Sequence, residues 1–145
     1  MWVYLDTSAL LKLYIVEAWH ADLQGLCANA EALAVSRMAW VEACSGLARR
    51  IRETPADRPA LEQARHALAA EWAGYRIVEV TPGIVDRAAQ FVDAFALRAY
   101  DAVQLASARE LALAADEPVV FACFDRRLNR AAQVLGLEVP FAQEP

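Results

Sequence analysis

The segment PVVFACFDRRLNRAAQVLG, residues 118–136, joins an apolar run to a polar helical pattern through one acidic residue, Asp125. Its first part, 118–124, is apolar almost throughout, which is typical of a strand covered on both faces. Its second part predicts an amphipathic helix over 125–136 that ends at Gly136. A buried strand that leads directly into a helix is the repeating unit of parallel α/β folds.

The same unit recurs along the chain. Short apolar or β-branched runs predict strands at 2–6, 32–36, 76–80, 118–124 and 137–141. Helical periodicity predicts helices at 8–30, 39–53, 60–75, 81–97, 97 to about 115, and 125–136. Strands that alternate with helices pair in parallel through right-handed crossovers. We therefore expect one three-layer α/β/α domain over residues 1–145, with a parallel sheet of about five strands.

Composition excludes several classes of protein. Hydrophobic residues make up 58% of the 145 residues, which indicates a packed globular domain. No apolar run approaches the roughly 20 residues of a membrane span, and the start MWVYLD lacks the basic region of a signal peptide. We expect a cytoplasmic protein. The net charge of −5 argues against a nucleic-acid binder. If four of the 19 acids neutralise bound cations, however, 15 acids remain against 14 basic residues, and net charge no longer decides.

Cysteine and histidine form no recognisable site. Cys27, Cys44 and Cys123 lie in apolar runs without the spacing of a zinc site or a redox pair. This pattern is typical of reduced thiols in the core. His20 and His66 are isolated among polar neighbours, so we expect both at the surface.

Three acidic residues fall where an open α/β sheet binds its ligands, beyond the carboxyl ends of the strands. Asp6 ends the first predicted strand, and Asp125 follows the apolar strand 118–124. Asp101 stands at the start of an apolar helix, where free N–H groups favour an anion. If the first strand and 118–124 are neighbours, the three acids converge at one sheet edge. Each acid alone is more typical of a helix N-cap.

Convergence of these carboxylates favours a cation site. Two carboxylates ~4 Å apart repel by a few kcal/mol at an effective dielectric constant of about 20, so a cation between them explains their proximity. Oxygen ligands without histidine or cysteine select Mg²⁺, with Mn²⁺ as a substitute. Glu42 is a weaker candidate, because periodicity places it opposite the apolar stripe of its helix and predicts a solvated position.

Taken together, four segments resemble the PIN domain, and within it the VapC-type toxins of bacterial toxin–antitoxin pairs. They are YLDTSALLKLY, SRMAWVEACSGLARR, LRAYDAVQLASAREL and VFACFDRRLNRAAQVLGL, in this order over nearly the whole chain. The pattern departs from the family at Tyr100, where an aliphatic residue is expected, and at Cys123, where a small hydroxylic residue is common. The resemblance implies a metal-binding, catalytic acidic quartet with two supporting hydroxyls: Asp6, Glu42, Asp101 and Asp125, with Thr7 and Ser8.

The resemblance also implies an activity and partners. We expect a Mg²⁺-dependent endoribonuclease, the toxin of a VapBC pair, that hydrolyses RNA with a metal-activated water and is held by a small antitoxin protein. A homodimer is expected too. The RNA backbone would meet basic residues that flank the acids and are otherwise plain surface charges: Lys12, Arg98, Arg126 and Arg127. A dimer or antitoxin surface would use apolar residues that singly are more typical of the core: Trp19, Leu23, Leu26, Trp40 and Leu47.

Two other functions are open at this point. A non-catalytic binding module would keep the fold without turnover, but the intact acidic set argues against it. The stretch LDTS, residues 5–8, also resembles the start of haloacid-dehalogenase phosphatases, in which the Asp is a covalent nucleophile. Those sites need a second Asp two residues later, where this chain has Ser8. The metal-dependent ribonuclease is therefore the main expectation.

Overall fold

The computed structural model describes residues 1–143, which contain a parallel sheet of four strands in the order β3–β2–β1–β4. The strands are β1 (Trp2–Leu5), β2 (Ala32–Ser36), β3 (Arg76–Val78) and β4 (Val119–Ala122). The helices are α1 (Thr7–Lys12), α2 (His20–Ala28), α3 (Ala39–Glu53), α4 (Arg58–Glu71), α5 (Pro82–Phe95), α6 (Ala99–Ala114) and α7 (Arg126–Val134).

Helices cover both faces of the sheet, which confirms the three-layer α/β/α architecture. Val3 and Leu5 of β1 pack with α1 to α4 on one face. Tyr4, between them, packs with α5 to α7 on the other face. All three side chains are fully buried. The continuous apolar character of the strands follows from this arrangement, because neither face of β1 meets water.

Strands β1 and β4 are direct neighbours, with Leu5 opposite Ala122. Strands β2 and β3 lie on the other side of β1, so the order reverses between β1 and β4. The backbone N–H of Asp6 donates to the carbonyl oxygen of Ala122 at 3.1 Å, which extends this pairing by one residue. The end of β1 and the loop after β4 therefore meet at the point where α/β sheets bind ligands.

The predicted helix 8–30 is wrong as a single element, since the chain forms α1 and α2 with an irregular segment between them. Trp19 precedes α2 with a left-handed φ of 71°, a conformation that a continuous α-helix excludes. Its ring packs against Phe124 and Phe141, with centroid distances of 6.3 and 5.5 Å. The packing of Trp19 thus fixes a non-helical residue directly before α2, in a segment that periodicity alone would continue as helix.

The predicted last strand, 137–141, is reduced to one isolated parallel bridge between Val120 and Glu138. Pro140 has no N–H with which to continue a ladder, which explains why no fifth strand forms here. Elsewhere the predicted elements are found with shifted ends: the helix predicted at 60–75, for example, runs over Arg58–Glu71 and finishes in a short 3₁₀ turn.

Most of the apolar residues considered for a docking surface belong to the core. Leu23 and Leu47 are 0% and 2% exposed, so their assignment to a surface is wrong. Trp19, Leu26 and Trp40 are partly buried against the same core. Because these five residues are buried or partly buried, they do not form an exposed apolar patch.

The cysteine and histidine side chains lie largely where the sequence predicts them. All three cysteines are free thiols, and Cys123 is buried. His66 is exposed as expected, but His20 is partly buried with its Nδ1 2.6 Å from the carbonyl oxygen of Lys12. Over residues 1–143, none of the helices combines the length and apolar character that crossing a membrane requires.

Candidate active site

An open cavity of about 660 Å³ lies at the carboxyl edge of the sheet, where β1 and β4 end and α3 and α6 begin. We call it the acidic cavity, because all four predicted acids line it together with both supporting hydroxyls: Asp6, Glu42, Asp101, Asp125, Thr7 and Ser8. The acids come from four segments that are far apart in the sequence, so only the folded chain brings them to one place.

Asp6 is held in position by its own helix. Its Oδ1 accepts hydrogen bonds from the Ser8 hydroxyl at 2.6 Å and from the backbone N–H of Ala9 at 2.9 Å, and the second bond makes Asp6 the N-cap of α1. The residue is 4% exposed. Burial raises the pKa of its carboxyl to about 6, against the effect of these hydrogen bonds. Asp6 is therefore both a helix cap and a buried acid of the cavity.

Ser8 ties the start of α1 to the loop that follows β4. Its Oγ donates to Asp6 and accepts a hydrogen bond from the backbone N–H of Phe124 at 3.1 Å. In a haloacid-dehalogenase phosphatase an acid would stand at this position. Here the hydroxyl is committed to holding Asp6 and the loop, so the phosphatase alternative lacks its second acid.

Asp125 caps α7 in the same way that Asp6 caps α1. Its Oδ1 accepts a hydrogen bond from the backbone N–H of Leu128 at 2.8 Å. The backbone N–H of Asp125 donates to Sγ of the buried Cys123 at 3.2 Å. Burial raises the pKa of this thiol, which keeps it neutral. Cys123 thus supports the last acid with sulfur where the family pattern has a hydroxyl.

Asp101 differs from the other two aspartates. It is the third residue of α6, whose N-cap is Arg98, so the interpretation of Asp101 as a helix cap is wrong. No group within residues 1–143 donates a hydrogen bond to its half-buried carboxylate, which lines the acidic cavity. Burial and the charge of Asp125 raise its pKa, while the charges of Arg98 and Arg127 oppose the rise.

Glu42 lies in the first turn of α3 and is held by a residue of α6. Its Oε1 accepts a hydrogen bond from Nε2 of Gln104 at 2.9 Å. Gln104 is 1% exposed, donates to Thr7 Oγ1 at 3.1 Å, and accepts a hydrogen bond from the Tyr4 hydroxyl at 2.6 Å. The solvated position that periodicity predicts for Glu42 is wrong, because Gln104 reaches across to its half-buried carboxylate.

Sequence reasoning missed Gln104, which links β1, α1 and α3 through three hydrogen bonds. One signal was available. Gln104 is a polar residue between Val103 and Leu105 in an apolar helix, and it lies three residues after Asp101. Residues at this spacing share one side of a helix, so a buried glutamine next to the acids was a readable feature.

The acids influence one another electrostatically. Burial is the largest cause of the raised pKa values of Asp6, Glu42 and Asp101, and a neighbouring carboxylate raises each value further. Across residues 1–143, no three acidic, histidine or cysteine side chains are already gathered into a group that could hold one metal ion. The carboxylates are thus close enough to repel but not clustered. An all-oxygen set of this kind fits Mg²⁺ or Mn²⁺, whose charge would offset the repulsion.

Basic side chains surround the acids at the acidic cavity. Lys12 and Arg98 line it as expected, and so do Arg49 and Arg50, which the sequence pattern did not single out. Lys12 forms an ion pair with Glu17 at 3.1 Å. The wall of the cavity therefore carries both signs of charge.

The other two predicted RNA contacts, Arg126 and Arg127, are not part of the lining of this cavity. Arg126 lines a separate cavity of about 310 Å³ with Arg130. Arg127 donates a hydrogen bond to the carbonyl oxygen of Ala96 at 3.2 Å, and its charge lowers the pKa of Asp101. Arg127 thus acts on the acidic cavity from outside its lining.

Several known proteins are similar to this chain in sequence or in fold. A family model for the PIN domain matches residues 3–134. Ribonuclease VapC45 of Mycobacterium tuberculosis is 36% identical over 142 residues, covering 97% of this chain and 96% of that protein. The structure of VapBC2 from Rickettsia felis, bound to a DNA fragment from their promoter, has a TM-score of 0.63 at 12% identity and covers 96% of this chain and 97% of that chain. A toxin–antitoxin complex from Klebsiella pneumoniae has a TM-score of 0.55 at 20% identity, with coverage of 85% and 86%. The chain therefore belongs to the PIN domain family and is related over nearly its whole length to a VapC ribonuclease.

Proposed function

We propose that this chain is a divalent-metal-dependent endoribonuclease, formed by a single domain over residues 1–145, and the toxin of a toxin–antitoxin pair in the cytoplasm. The observation that carries the proposal is the acidic cavity, which is lined at the switch point of the sheet by carboxylates from four distant segments. The 36% identity to a protein named Ribonuclease VapC45 supports the same activity.

Four residues of the cavity would hold Mg²⁺ or Mn²⁺: Asp6, Glu42, Asp101 and Asp125. A cation bound there supplies Lewis acidity, which lowers the pKa of an attacking water and offsets negative charge on the phosphate. The chain's own residues hold two of these carboxylates in place. Ser8 and Ala9 fix the carboxylate of Asp6, and Gln104 fixes that of Glu42. Asp101 is left to adjust, since no hydrogen bond within residues 1–143 restrains it.

Binding of the RNA backbone requires positive charge close to this negative centre. Lys12, Arg49, Arg50 and Arg98 provide it, because they line the same cavity as the acids. Phosphate contacts of this kind position a nucleic acid without reading its sequence. We assign these four side chains to the strand that passes through the cavity, with Arg127 beside them.

Two partners complete the proposal. A small antitoxin protein would bind the toxin and block RNA, by analogy with the toxin–antitoxin complex from Klebsiella pneumoniae that shares the fold. A homodimer is the second proposed assembly. Light scattering of the purified chain, alone and after co-expression with the product of an adjacent small open reading frame, measures both.

The decisive experiment compares the wild-type chain with Asp6→Ala and Asp101→Ala. We expect the wild type to cleave single-stranded RNA with Mg²⁺ and to lose activity in chelator, and both variants to be inactive although folded. In cells, growth arrest by the wild type should be relieved by the adjacent small open reading frame and by Asp101→Ala. Full cleavage by both variants, or cleavage that persists without metal, contradicts the proposal.

A further inference from the structure

Two exposed hydrophobic side chains stand at the acidic cavity, each directly before one of its acids. Tyr100 is 56% exposed and precedes Asp101, and Val41 is 54% exposed and precedes Glu42. Both line the acidic cavity. Within residues 1–143 only six large hydrophobic side chains are well exposed. Because two of these six line one cavity, their exposure there needs an explanation.

Helix geometry directs Tyr100 away from the core. Tyr100 and Asp101 are the second and third residues of α6, and Ala102, the next residue, is fully buried. Side chains two positions apart on a helix point about 200° apart, so burial of Ala102 turns Tyr100 outward. Within residues 1–143 the Tyr100 ring stacks on no other aromatic ring and its hydroxyl forms no hydrogen bond. The Tyr100 side chain is therefore an exposed part of the cavity lining, anchored in the first turn of α6.

The surroundings of Tyr100 indicate what the ring binds. Arg98 lies two residues earlier and lines the same cavity, as do Lys12, Arg49 and Arg50. A strand of RNA held there by its phosphates must place its bases somewhere, and unpaired bases stack on aromatic side chains. Basic side chains next to an exposed aromatic ring are the combination with which proteins bind single-stranded RNA.

We propose that Tyr100, with Val41 beside the base, stacks on the unpaired base of a nucleotide adjoining the cleaved phosphodiester. The inference rests on the proposed ribonuclease function and adds a specificity-determining residue to it. An apolar segment of a protein partner is the other occupant of such a ring. RNA is favoured because Tyr100 adjoins Asp101, which the reacting phosphate has to reach.

The test uses a short single-stranded RNA with a mapped cleavage site, and matched RNAs with an abasic nucleotide on either side of that site. Tyr100→Leu removes the ring, Tyr100→Phe keeps it, and Leu113→Ala changes another exposed apolar side chain of α6, 61% exposed and outside the cavity lining. The kinetic constants KM and kcat are measured for each pair, with thermal unfolding as the check that all variants are folded.

On intact RNA we expect Tyr100→Leu to lose roughly tenfold in kcat/KM, mainly through KM, as for the loss of one stacked base. When the intact RNA is replaced by the RNA with the relevant abasic nucleotide, kcat/KM of the wild type should fall by a similar factor. The already lowered kcat/KM of Tyr100→Leu should fall little further. Tyr100→Phe should remain sensitive to the abasic nucleotide, and Leu113→Ala should behave as the wild type on all RNAs.

The inference is overturned if Tyr100→Leu equals the wild type on every RNA, or if it loses the same factor on intact and abasic RNA, which is the mark of a structural effect. Alternatively, Tyr100→Leu keeps wild-type RNA kinetics but escapes inhibition by the antitoxin, which makes the ring a protein contact. A wild type that cleaves no RNA with Mg²⁺ or Mn²⁺ removes the proposed function and this inference with it, whereas a cleaving wild type that is indifferent to abasic nucleotides removes only the inference.

Discussion

Asp6 and Asp101 line the same cavity but are held in opposite ways. Asp6 is 4% exposed, and its Oδ1 accepts two hydrogen bonds from residues of α1. Asp101 is half-buried and accepts no hydrogen bond from any group within residues 1–143. One acid is fixed before a ligand binds, and the other is free to rotate toward it. The comparison suggests a site that is preorganised on its β1 side and adjustable on its α6 side.

The largest effect is expected at Asp101, where a substitution should abolish activity without lowering stability. Asp101→Asn should lower kcat/KM for RNA roughly 10³-fold or more, because a proposed metal ligand loses its charge. The melting temperature should not fall, since no hydrogen bond is lost and a carboxylate of raised pKa is removed. Cleavage assays and thermal unfolding measure the two effects. Glu110→Gln, on the same helix but outside the cavity lining, is the matched control. A marked loss of stability in Asp101→Asn would show that Asp101 is restrained after all.

The second prediction concerns the residue that fixes Glu42. Gln104→Leu keeps the size of the side chain but removes hydrogen bonds to Tyr4, Thr7 and Glu42. We expect activity to fall roughly 10–100-fold, because a proposed metal ligand, Glu42, loses its orienting partner. The free energy of unfolding should fall by about 1–3 kcal/mol, because the buried Tyr4 hydroxyl loses the oxygen to which it donates. Urea unfolding and cleavage rates measure these changes. An exposed glutamine changed in the same way, Gln90→Leu, should leave both unaffected.

The third prediction uses pH to probe the buried side. Burial raises the pKa of Asp6 from 3.8 to about 6, so the folded protein holds a proton that the unfolded chain releases. The stability of the metal-free protein should therefore fall as the pH rises from about 4 to above 6, by up to about 3 kcal/mol from this group. Glu42 and Asp101 are shifted in the same direction. Urea unfolding in chelator measures the profile, and Mg²⁺ should restore stability at pH 7.5. An Asp6→Asn variant with an equally steep profile would refute the role of Asp6.

The smallest effect is expected at Ser8. Ser8→Ala removes a hydrogen bond to Asp6 and another from the backbone N–H of Phe124, which should cost about 1–2 kcal/mol of unfolding free energy. Because the Ser8 hydroxyl opposes the rise in the pKa of Asp6, its loss should move the pH profile of stability upward. Ser45→Ala, an exposed hydroxyl of the same cavity, is the control and should change neither quantity. A profile that stays in place would mean that Ser8 holds the loop but not the acid.

The sequence was sufficient for features that depend on local order along the chain. The positions of Asp6 and Asp125 at strand ends follow from apolar runs that stop at an acid, and pairing of β1 with β4 brings these ends together. The helix predicted over 81–97 begins where expected, because Thr81 caps α5 by accepting a hydrogen bond from the backbone N–H of Ile84. Such features require knowledge only of neighbouring residues and of how parallel sheets are connected.

Features that depend on contacts between distant helices could not be read in this way. Glu42 looked solvated because periodicity describes a helix against one surface, whereas its first turn is also reached by Gln104 of α6. The break before α2 has the same origin, because the packing of Trp19 against Phe124 and Phe141 is invisible in the pattern of 8–30. The resemblance to a family supplied Glu42, and no local rule would have done so.

The pairing of the first strand with the last one also has a consequence for synthesis. Strand β1 leaves the ribosome long before its partner β4, because β4 and Asp125 lie more than a hundred residues later in the chain. A nascent chain that ends before β4 lacks one wall of the cavity, so it cannot assemble the full set of acids. The proposed nuclease would therefore stay inert during synthesis until β4 and Asp125 have left the ribosome and paired with β1.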